Sequence, residues 1–270
     1  MKVPVNLTNF KNILLKASEI IKGHLNKSSE ELGTTKKQDG TSVTKVELEV
    51  NKFLKLELTK LLPDSGWLSE EDKDNTDRLT KSYVWVVDPI DGTKEFISGI
   101  PEIAISVGLV SKGLPILGGV VNPATGEGGV GSLDNGVEYW GSKSRIVQTS
   151  LVQAEISVSR TEFSKGQIDV FREQLPQIKP LGSVAYKLLR VAAEQDDFYF
   201  SVEPKSEWDI CGGVALLGFS NKFYSRFDGA ANAFNQPKPR IKCGACAGTL
   251  AMIENFSHQF KALLQLRDEK

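Results

Sequence analysis

The sequence predicts a mixed α+β chain in two lobes, and three observations carry that prediction. Two amphipathic helical patterns open the chain. A series of short apolar runs separated by Gly, Pro and Asn follows. From about residue 156, strand-like and helix-like segments alternate. The change of pattern puts the boundary near residue 150, giving an N-terminal α+β lobe over 1–150 and a C-terminal α/β lobe over 151–270. The 270 residues, 40% of them hydrophobic, can bury a large core.

Leu7, Phe10, Leu14, Ala17 and Ile21 recur at helical spacing and predict a helix over 6–24. Lys36 to Ser42 is polar, with Asp39-Gly40 as a turn signal. Val46, Val50, Phe53, Leu54, Leu58 and Leu61 mark a second helix that ends before Pro63. Its start, Thr44-Lys45-Val46-Glu47, has the capping-box pattern. Trp67-Leu68 predicts a short strand running into the acidic turn Ser69-Glu70-Glu71-Asp72. Tyr83 to Val87 predicts a buried strand that stops at Asp88-Pro89, because proline cannot continue a ladder.

Beyond it, Ala104 to Val110, Leu117 to Val121 and Val137 to Trp140 read as an antiparallel meander. In the second lobe, strands are expected over 156–158, 178–181 and 198–202. Helices are expected over 167–174, 184–193 and 210–217. The pattern over 257–267 predicts a charged, peripheral last helix.

Composition removes several classes of function. A net charge of −1 with no basic block argues against binding a nucleic-acid polymer. No run of about 18 apolar residues predicts a membrane span, and polar residues from Asn6 to Asn12 leave no apolar signal core. Three cysteines in a chain of this size do not make a disulfide framework, so a reducing cytoplasm is expected. The two histidines, His24 and His258, disfavour a His-rich zinc site. An oxygen-only Mg²⁺ site is favoured instead.

The densest chemistry lies in Asp88-Pro89-Ile90-Asp91-Gly92-Thr93. Two carboxylates sit at the mouth of a strand, with the free N–H groups of a helical turn just beyond. Carboxylates collect hard cations and a helix start collects phosphate. Alone, Asp-Pro followed by Asp-Gly is also ordinary loop composition. Three further stretches shift the balance: Glu70-Glu71 after a strand, Trp208-Asp209 before the apolar helix, and Asp39 and Glu47 flanking a polar loop and helix start.

This order of motifs resembles the inositol monophosphatase superfamily of lithium-sensitive, Mg²⁺-dependent phosphatases, over nearly the whole chain. Lys94-Glu95-Phe96, Gly182-Ser183 and Glu207-Trp208-Asp209 are more similar to its 3′(2′),5′-bisphosphate nucleotidase branch. The inositol branch usually has Thr-Asn-Phe after the Gly-Thr. The resemblance implies the layered α/β/α/β/α sandwich of the inositol monophosphatase and fructose-1,6-bisphosphatase type, with the site between the lobes.

It further implies two or three Mg²⁺ ions and a small-molecule phosphate as substrate. A homodimer is compatible with it. The implied ligands are Glu70, Asp88, the Ile90 carbonyl, Asp91 and Asp209, with Asp91 bridging metals. Gly92 and Thr93 would offer N–H groups to the phosphate, and the Thr93 hydroxyl would orient the attacking water, so Thr93, Asp91 and Glu47 form the implied catalytic set. Gly182, Ser183 and Asp209 would face the substrate. The implied reaction is hydrolysis of a phosphate monoester, first of a 3′-phosphoadenosine 5′-phosphate-like nucleotide, with inositol phosphate as the alternative and a non-catalytic phosphate binder as the second alternative.

Simpler readings stand beside several of these residues. Glu71 and Asp72 read as solvated neighbours of Glu70, Trp208 as core packing that fixes Asp209, and Lys94 and Glu95 as an exposed helix face. Lys36, Lys37 and Lys205 could meet a second phosphate but read as surface lysines. Ser183 either meets substrate or caps the following helix. Cys243 and Cys246 have metal or redox spacing without a second pair, and read as unused thiols. The inositol branch places a Glu a few residues before Trp-Asp; Val202 falls at that spacing, with Glu203 next to it.

Two departures from the family pattern stand out. Glu47 replaces the usual Asp, and its capping-box position is a sufficient structural reason for it. Asn221-Lys222 replaces Gly-Gly after the apolar helix, where Asn is the next-best residue for a left-handed helix end.

Overall fold

The computed structural model describes residues 2–37, 40–141 and 145–263. Asp39 and the end of the expected last helix therefore lie outside the described residues. Helix α1 spans Leu7–Lys22. The two-residue strands β1 (Thr35–Lys36) and β2 (Ser42–Val43) pair as a small ribbon, and α2 follows over Lys45–Leu61. Strands β3 (Gly66–Ser69), β4 (Val84–Asp91), β5 (Ala104–Ser111), β6 (Leu114–Val121), β7 (Gly128–Ser132) and β8 (Gly136–Trp140) form one sheet in chain order, with the short α3 (Thr93–Ile97) after β4. β3 and β4 are parallel and the remaining pairs antiparallel.

The second half begins with β9 (Ile156–Ser159), α4 (Arg160–Ser164), α5 (Asp169–Arg172), β10 (Ile178–Leu181), α6 (Val184–Ala192) and β11 (Phe198–Ser201). Then come β12 (Lys205–Ser206), α7 (Glu207–Phe219), β13 (Phe223–Arg226), β14 (Arg240–Ile241), β15 (Ala245–Gly248) and α8 (Leu250–Gln259). The second sheet has the order β10-β9-β11-β15-β13, parallel across its first three strands and antiparallel beyond.

Three buried clusters define five layers. Phe10, Leu14, Val50, Leu54 and Trp85 join α1 and α2 to one face of the six-stranded sheet. Val86, Val120, Leu188, Ile210, Leu217 and Tyr199 fill the space between the two sheets, where α6 and α7 lie. Ile156, Phe171, Phe198, Phe200, Met252 and Phe256 cover the far face of the second sheet. The order is α/β/α/β/α, as the resemblance implies. Beyond its acidic first turn, α7 is apolar on all its faces and is enclosed by both sheets. Its close approach to the first sheet depends on small residues: a Cβ at Gly108 would collide with Cys211, and one at Gly118 with Ala215.

Four expectations are corrected. β4 does not stop at Pro89 but runs on to Asp91. β3 pairs only with Val84–Val87, so no partner on that side needs the missing proline N–H. The β5 ladder skips Pro89 and Ile90, passing from Asp88↔Ser106 to Asp91↔Ala104 through a bulge. Strand β7, Gly128-Gly129-Val130-Gly131-Ser132, was not expected; Trp140 and Tyr139 of β8 cover Gly128 and Gly129, supplying the side-chain surface that those residues lack. The helix expected over 167–174 is only the four-residue α5, with α4 before it. The last helix is not peripheral: it begins at Leu250, and Met252, Ile253 and Phe256 are core residues.

Candidate active site

The bulge in β4 turns its end toward the N-termini of α3, α6 and α7, and the acidic side chains meet there. Glu70 follows the last residue of β3, Asp88 lies in β4 and Asp209 in the first turn of α7. One carboxylate oxygen from each lies within 4.8 Å of the other two. Among the described residues this is the one group of three or more His, Cys, Asp or Glu side chains close enough to share a cation. Asp88 is buried and the other two are half-buried. Asp209 is fixed by the capping box of α7, its Oδ2 accepting from Ser206 N–H at 2.8 Å.

Such crowding disfavours charge. Burial, then Glu70, Asp91 and Asp209, pushes the Asp88 carboxyl well above its usual range. Burial and Asp91 push Asp209 up to about 8. A set of hard oxygen donors, held together against their own repulsion, suits a hard divalent cation such as Mg²⁺. Lys37 is the cation now nearest: its Nζ is 2.9 Å from Glu70 and 2.7 Å from Glu71. Glu71 is therefore an ion-pair partner with a 3% exposed side chain, not a solvated neighbour. Asp72 likewise accepts from Trp67 Nε1 at 2.6 Å and pairs with Lys55 at 2.9 Å.

Asp91 is held differently. Its Oδ2 accepts from Ser183 Oγ at 2.7 Å and from the Ala185 N–H at 2.6 Å, which ties the end of β4 to the start of α6. It is not among the three mutually close carboxylates. Ser183, at a left-handed φ of 49°, also accepts from the Tyr186 N–H at 3.0 Å, so its hydroxyl both caps α6 and holds Asp91. The Gly182 N–H donates to Glu102 Oε2 at 2.6 Å, and its Cα faces Glu95 too closely for a Cβ. Glu95 is accordingly half-buried rather than part of an exposed face, whereas Lys94 is exposed. Ile90 is 1% exposed, so its side chain is core, and its N–H donates to Asp88 Oδ1 at 3.1 Å.

Glu47 makes two contacts, one at the helix start and one to Thr93. Oε2 accepts from the Thr44 N–H at 2.5 Å, completing the capping box of α2. Oε1 accepts from Thr93 Oγ1 at 2.5 Å. The residue is 1% exposed, and burial pushes its carboxyl up to about 7 against the pull of those hydrogen bonds. Gly92, between Asp91 and Thr93, has φ 100°, and a Cβ there would lie 3.0 Å from the Glu102 carbonyl. Only glycine suits both constraints.

The inositol monophosphatase family matches this chain over residues 4–220. The chain belongs to the inositol monophosphatase family. Among relatives of the chain, inositol monophosphatase 3 of Solanum lycopersicum is 27% identical over 210 residues, covering 74% of this chain and 78% of that protein. The fructose-1,6-bisphosphatase/inositol-1-monophosphatase of Thermotoga maritima is 29% identical over 200 residues, covering 72% and 75%. The fold superimposes on the solved Thermotoga maritima IMPase with a TM-score of 0.77 at 24% identity, covering 97% of this chain and 96% of that one. As an inositol monophosphatase family member the protein is a phosphatase of mixed α+β fold, and no helix among the described residues is long and apolar enough to cross a membrane.

Other residues near the site carried no sequence signal. Lys187 is buried in α6 and donates to the carbonyls of Leu181, Gly182 and Ser183 at 2.8–3.0 Å; burial pushes its ammonium down to about 8. Its spacing matches an ordinary helix face, so no pattern marked it. Glu162 accepts from Ser201 Oγ at 2.5 Å, the Val202 N–H at 2.8 Å and Lys205 at 3.3 Å. Lys205 is thus a paired lysine rather than a free surface one. Glu203 is turned to Gln167. Asn221 has φ 54°, the left-handed helix end expected of it. Cys243 packs between the sheets and Cys246 in the outer core, so their sequence spacing does not make a pair.

Proposed function

We propose that the protein is a Mg²⁺-dependent phosphomonoesterase acting on a small molecule, with a 3′-phosphoadenosine 5′-phosphate-like nucleotide as its preferred substrate. The observation that carries the reading is the convergence of Glu70, Asp88 and Asp209 beside a Thr93–Glu47 hydrogen bond. Glu70, Asp88 and Asp209, with Asp91 and the Ile90 carbonyl, would hold the cations. Bound there, divalent cations neutralise the phosphate dianion, lower the pKa of a water and steady the leaving oxygen.

The chain's own residues supply the rest. Thr93 Oγ1 donates a hydrogen bond to Glu47, which leaves the oxygen lone pairs to accept a hydrogen bond from a water in front of it. Glu47, with its carboxyl near 7, is matched to take up a proton at neutral pH. The first N–H groups of α3 have no partner within that helix and are suited to phosphate oxygens. The two ties on Asp91 Oδ2 keep that carboxylate in one orientation.

Two features support a nucleotide bisphosphate over an inositol phosphate. Lys94-Glu95-Phe96 follows the nucleotidase pattern, and Val202 stands where the inositol branch has Glu, with Glu203 engaged elsewhere. The names of the relatives favour the second reading, an inositol monophosphatase. Lithium sensitivity is expected for either. Phosphate release from 3′-phosphoadenosine 5′-phosphate and from inositol 1-phosphate, measured side by side in Mg²⁺, tests the proposal. A higher kcat/KM for the nucleotide is expected. The reverse order moves the protein to the second reading, and no release from either compound overturns the phosphatase assignment for this chain.

A further inference from the structure

A cavity of about 660 Å³ opens beside the acidic cluster, and its lining includes Glu70 and Asp209 as well as Lys238 and Arg240. Both of these cations are exposed, and among the described residues neither side chain has an ion-pair or hydrogen-bond partner. Two cations without ion-pair partners thus share a cavity with two of the clustered carboxylates. Two other lysines near the site are paired, Lys37 with Glu70 and Glu71, and Lys205 with Glu162.

The segment that carries them is anchored on both sides. Upstream, Phe234 is buried and its N–H donates to the Gly113 carbonyl at 2.9 Å. The N–H groups of Asn235 and Gln236 donate to Glu207 at 2.6 and 2.9 Å, while the buried Arg78 donates to Asn235 Oδ1 and the Gln236 carbonyl at 2.6 and 2.9 Å. Downstream, β14 pairs with β12, and the Glu207 N–H donates to the Pro239 carbonyl at 3.0 Å. Between the anchors stands Pro237-Lys238-Pro239, whose prolines fix φ. Glu207 thus holds the strap on both sides and opens the helix that presents Asp209. This is a preorganised mount, which lowers the ordering cost of binding.

We propose that Lys238 and Arg240 form a second anion subsite, so that the protein prefers a small phosphate monoester that carries a second phosphate. The inference rests on the phosphatase reading for which phosphate is cleaved, but not for where the second one binds. The scissile phosphate sits at the carboxylates and the second phosphate at the strap, where Arg240 can meet two of its oxygens and Lys238 a third.

The test compares 3′-phosphoadenosine 5′-phosphate with adenosine 3′-phosphate, which differ only in the distal phosphate. The readout is the ratio of their kcat/KM values. In a Lys238→Gln/Arg240→Gln double variant that ratio falls by roughly tenfold or more, as the loss of charge-assisted contacts predicts. Lys242→Gln, an exposed neighbour that does not line the cavity, removes a charge and leaves the ratio as it was. A double variant with the parent's ratio, or a control that shifts it equally, overturns the subsite.

The same pair of compounds is also titrated by tryptophan fluorescence with Ca²⁺ in place of Mg²⁺, because Trp208 lines the cavity. If neither compound is hydrolysed, the nucleotide-substrate reading fails. The ratio of the two dissociation constants in parent and double variant then still decides the subsite: a roughly tenfold fall supports it and an unchanged ratio overturns it.

Discussion

At the scale of single residues, Glu47 is the most informative position. Both carboxylate oxygens are in use, one for the Thr44 N–H and one for Thr93. Gln has only one acceptor oxygen, so Glu47→Gln cannot keep both bonds, and the cap and the chemistry cannot be fully separated by that change. Losing a cap contact costs about 1 kcal/mol, partly offset because a buried charge is removed. Losing a proton acceptor costs roughly 10²–10⁴-fold in rate. The expected outcome is a kcat lower by at least about tenfold with a melting temperature within a few degrees of the parent, read by phosphate release and calorimetry. A parent-like kcat would reduce Glu47 to a cap.

Asp91→Asn is the complementary case. The amide oxygen can still accept from Ser183 and Ala185, so the tie between β4 and α6 survives while the charge is lost. Turnover should disappear at saturating Mg²⁺ with the fold intact by circular dichroism; near-normal turnover would remove Asp91 from the site. The sequence pointed to Glu47, Asp88, Asp91, Thr93 and Asp209 because their spacing along the chain is a motif. It did not point to Lys238 and Arg240, which reach the site only through the fold.

At the scale of elements, the end of β4 places the chemistry. Its bulge, followed by the left-handed Gly92, turns the chain from strand to helix within four residues. Gly92→Ala would combine a left-handed φ, costing about 1–2 kcal/mol, with a tight approach to the Glu102 carbonyl. A lower melting temperature and a larger relative loss of kcat are expected, because the strain falls on the Asp91–Thr93 link. The capping boxes of α2 and the amphipathic pattern of α1 were readable because they obey local rules. The bulge was not, since proline alone signals only that a ladder bond is missing. The core role of α8 was not legible, because its buried residues Met252, Ile253 and Phe256 precede the charged stretch over 257–267, while Phe256 stacks with Phe171 at 5.9 Å and packs beside Phe198 and Phe200. Phe256→Ala should cost about 3–5 kcal/mol in denaturant unfolding, with turnover per folded molecule unchanged.

At the scale of the whole molecule, the five layers bring acids from distant parts of the chain into one crowded group. The consequence is a stability that depends on pH. The folded protein holds protons more tightly than the unfolded chain at Glu47, raised from 4.5 to about 7, and at Asp209, raised from 3.8 to about 8. Between those limits the folded state binds more protons, so metal-free stability falls as pH rises from about 4 to about 8. A cation that binds only the folded, deprotonated site reverses the trend, and the gain in melting temperature on adding Mg²⁺ should grow with pH. Equal gains at pH 5.5 and pH 8 would speak against carboxylate ligation. The layer order was legible only through the family resemblance, whereas the change of helical and strand periods along the chain pointed to a mixed α+β fold. How α7 nests against the first sheet was not, because it depends on the mutual fit of Gly108, Gly118, Cys211 and Ala215.

In the proposed reaction, Glu70, Asp88 and Asp209 hold the cations on which phosphate release depends. The direct measurement is phosphate release from 3′-phosphoadenosine 5′-phosphate after treatment with a chelator and then during titration with Mg²⁺, for the parent and for Asp209→Asn. No release is expected in chelator, with saturable recovery in the parent and no recovery in Asp209→Asn at the same Mg²⁺ concentrations. Full turnover in the presence of the chelator, or parent-like recovery in Asp209→Asn, would contradict that role of the carboxylates.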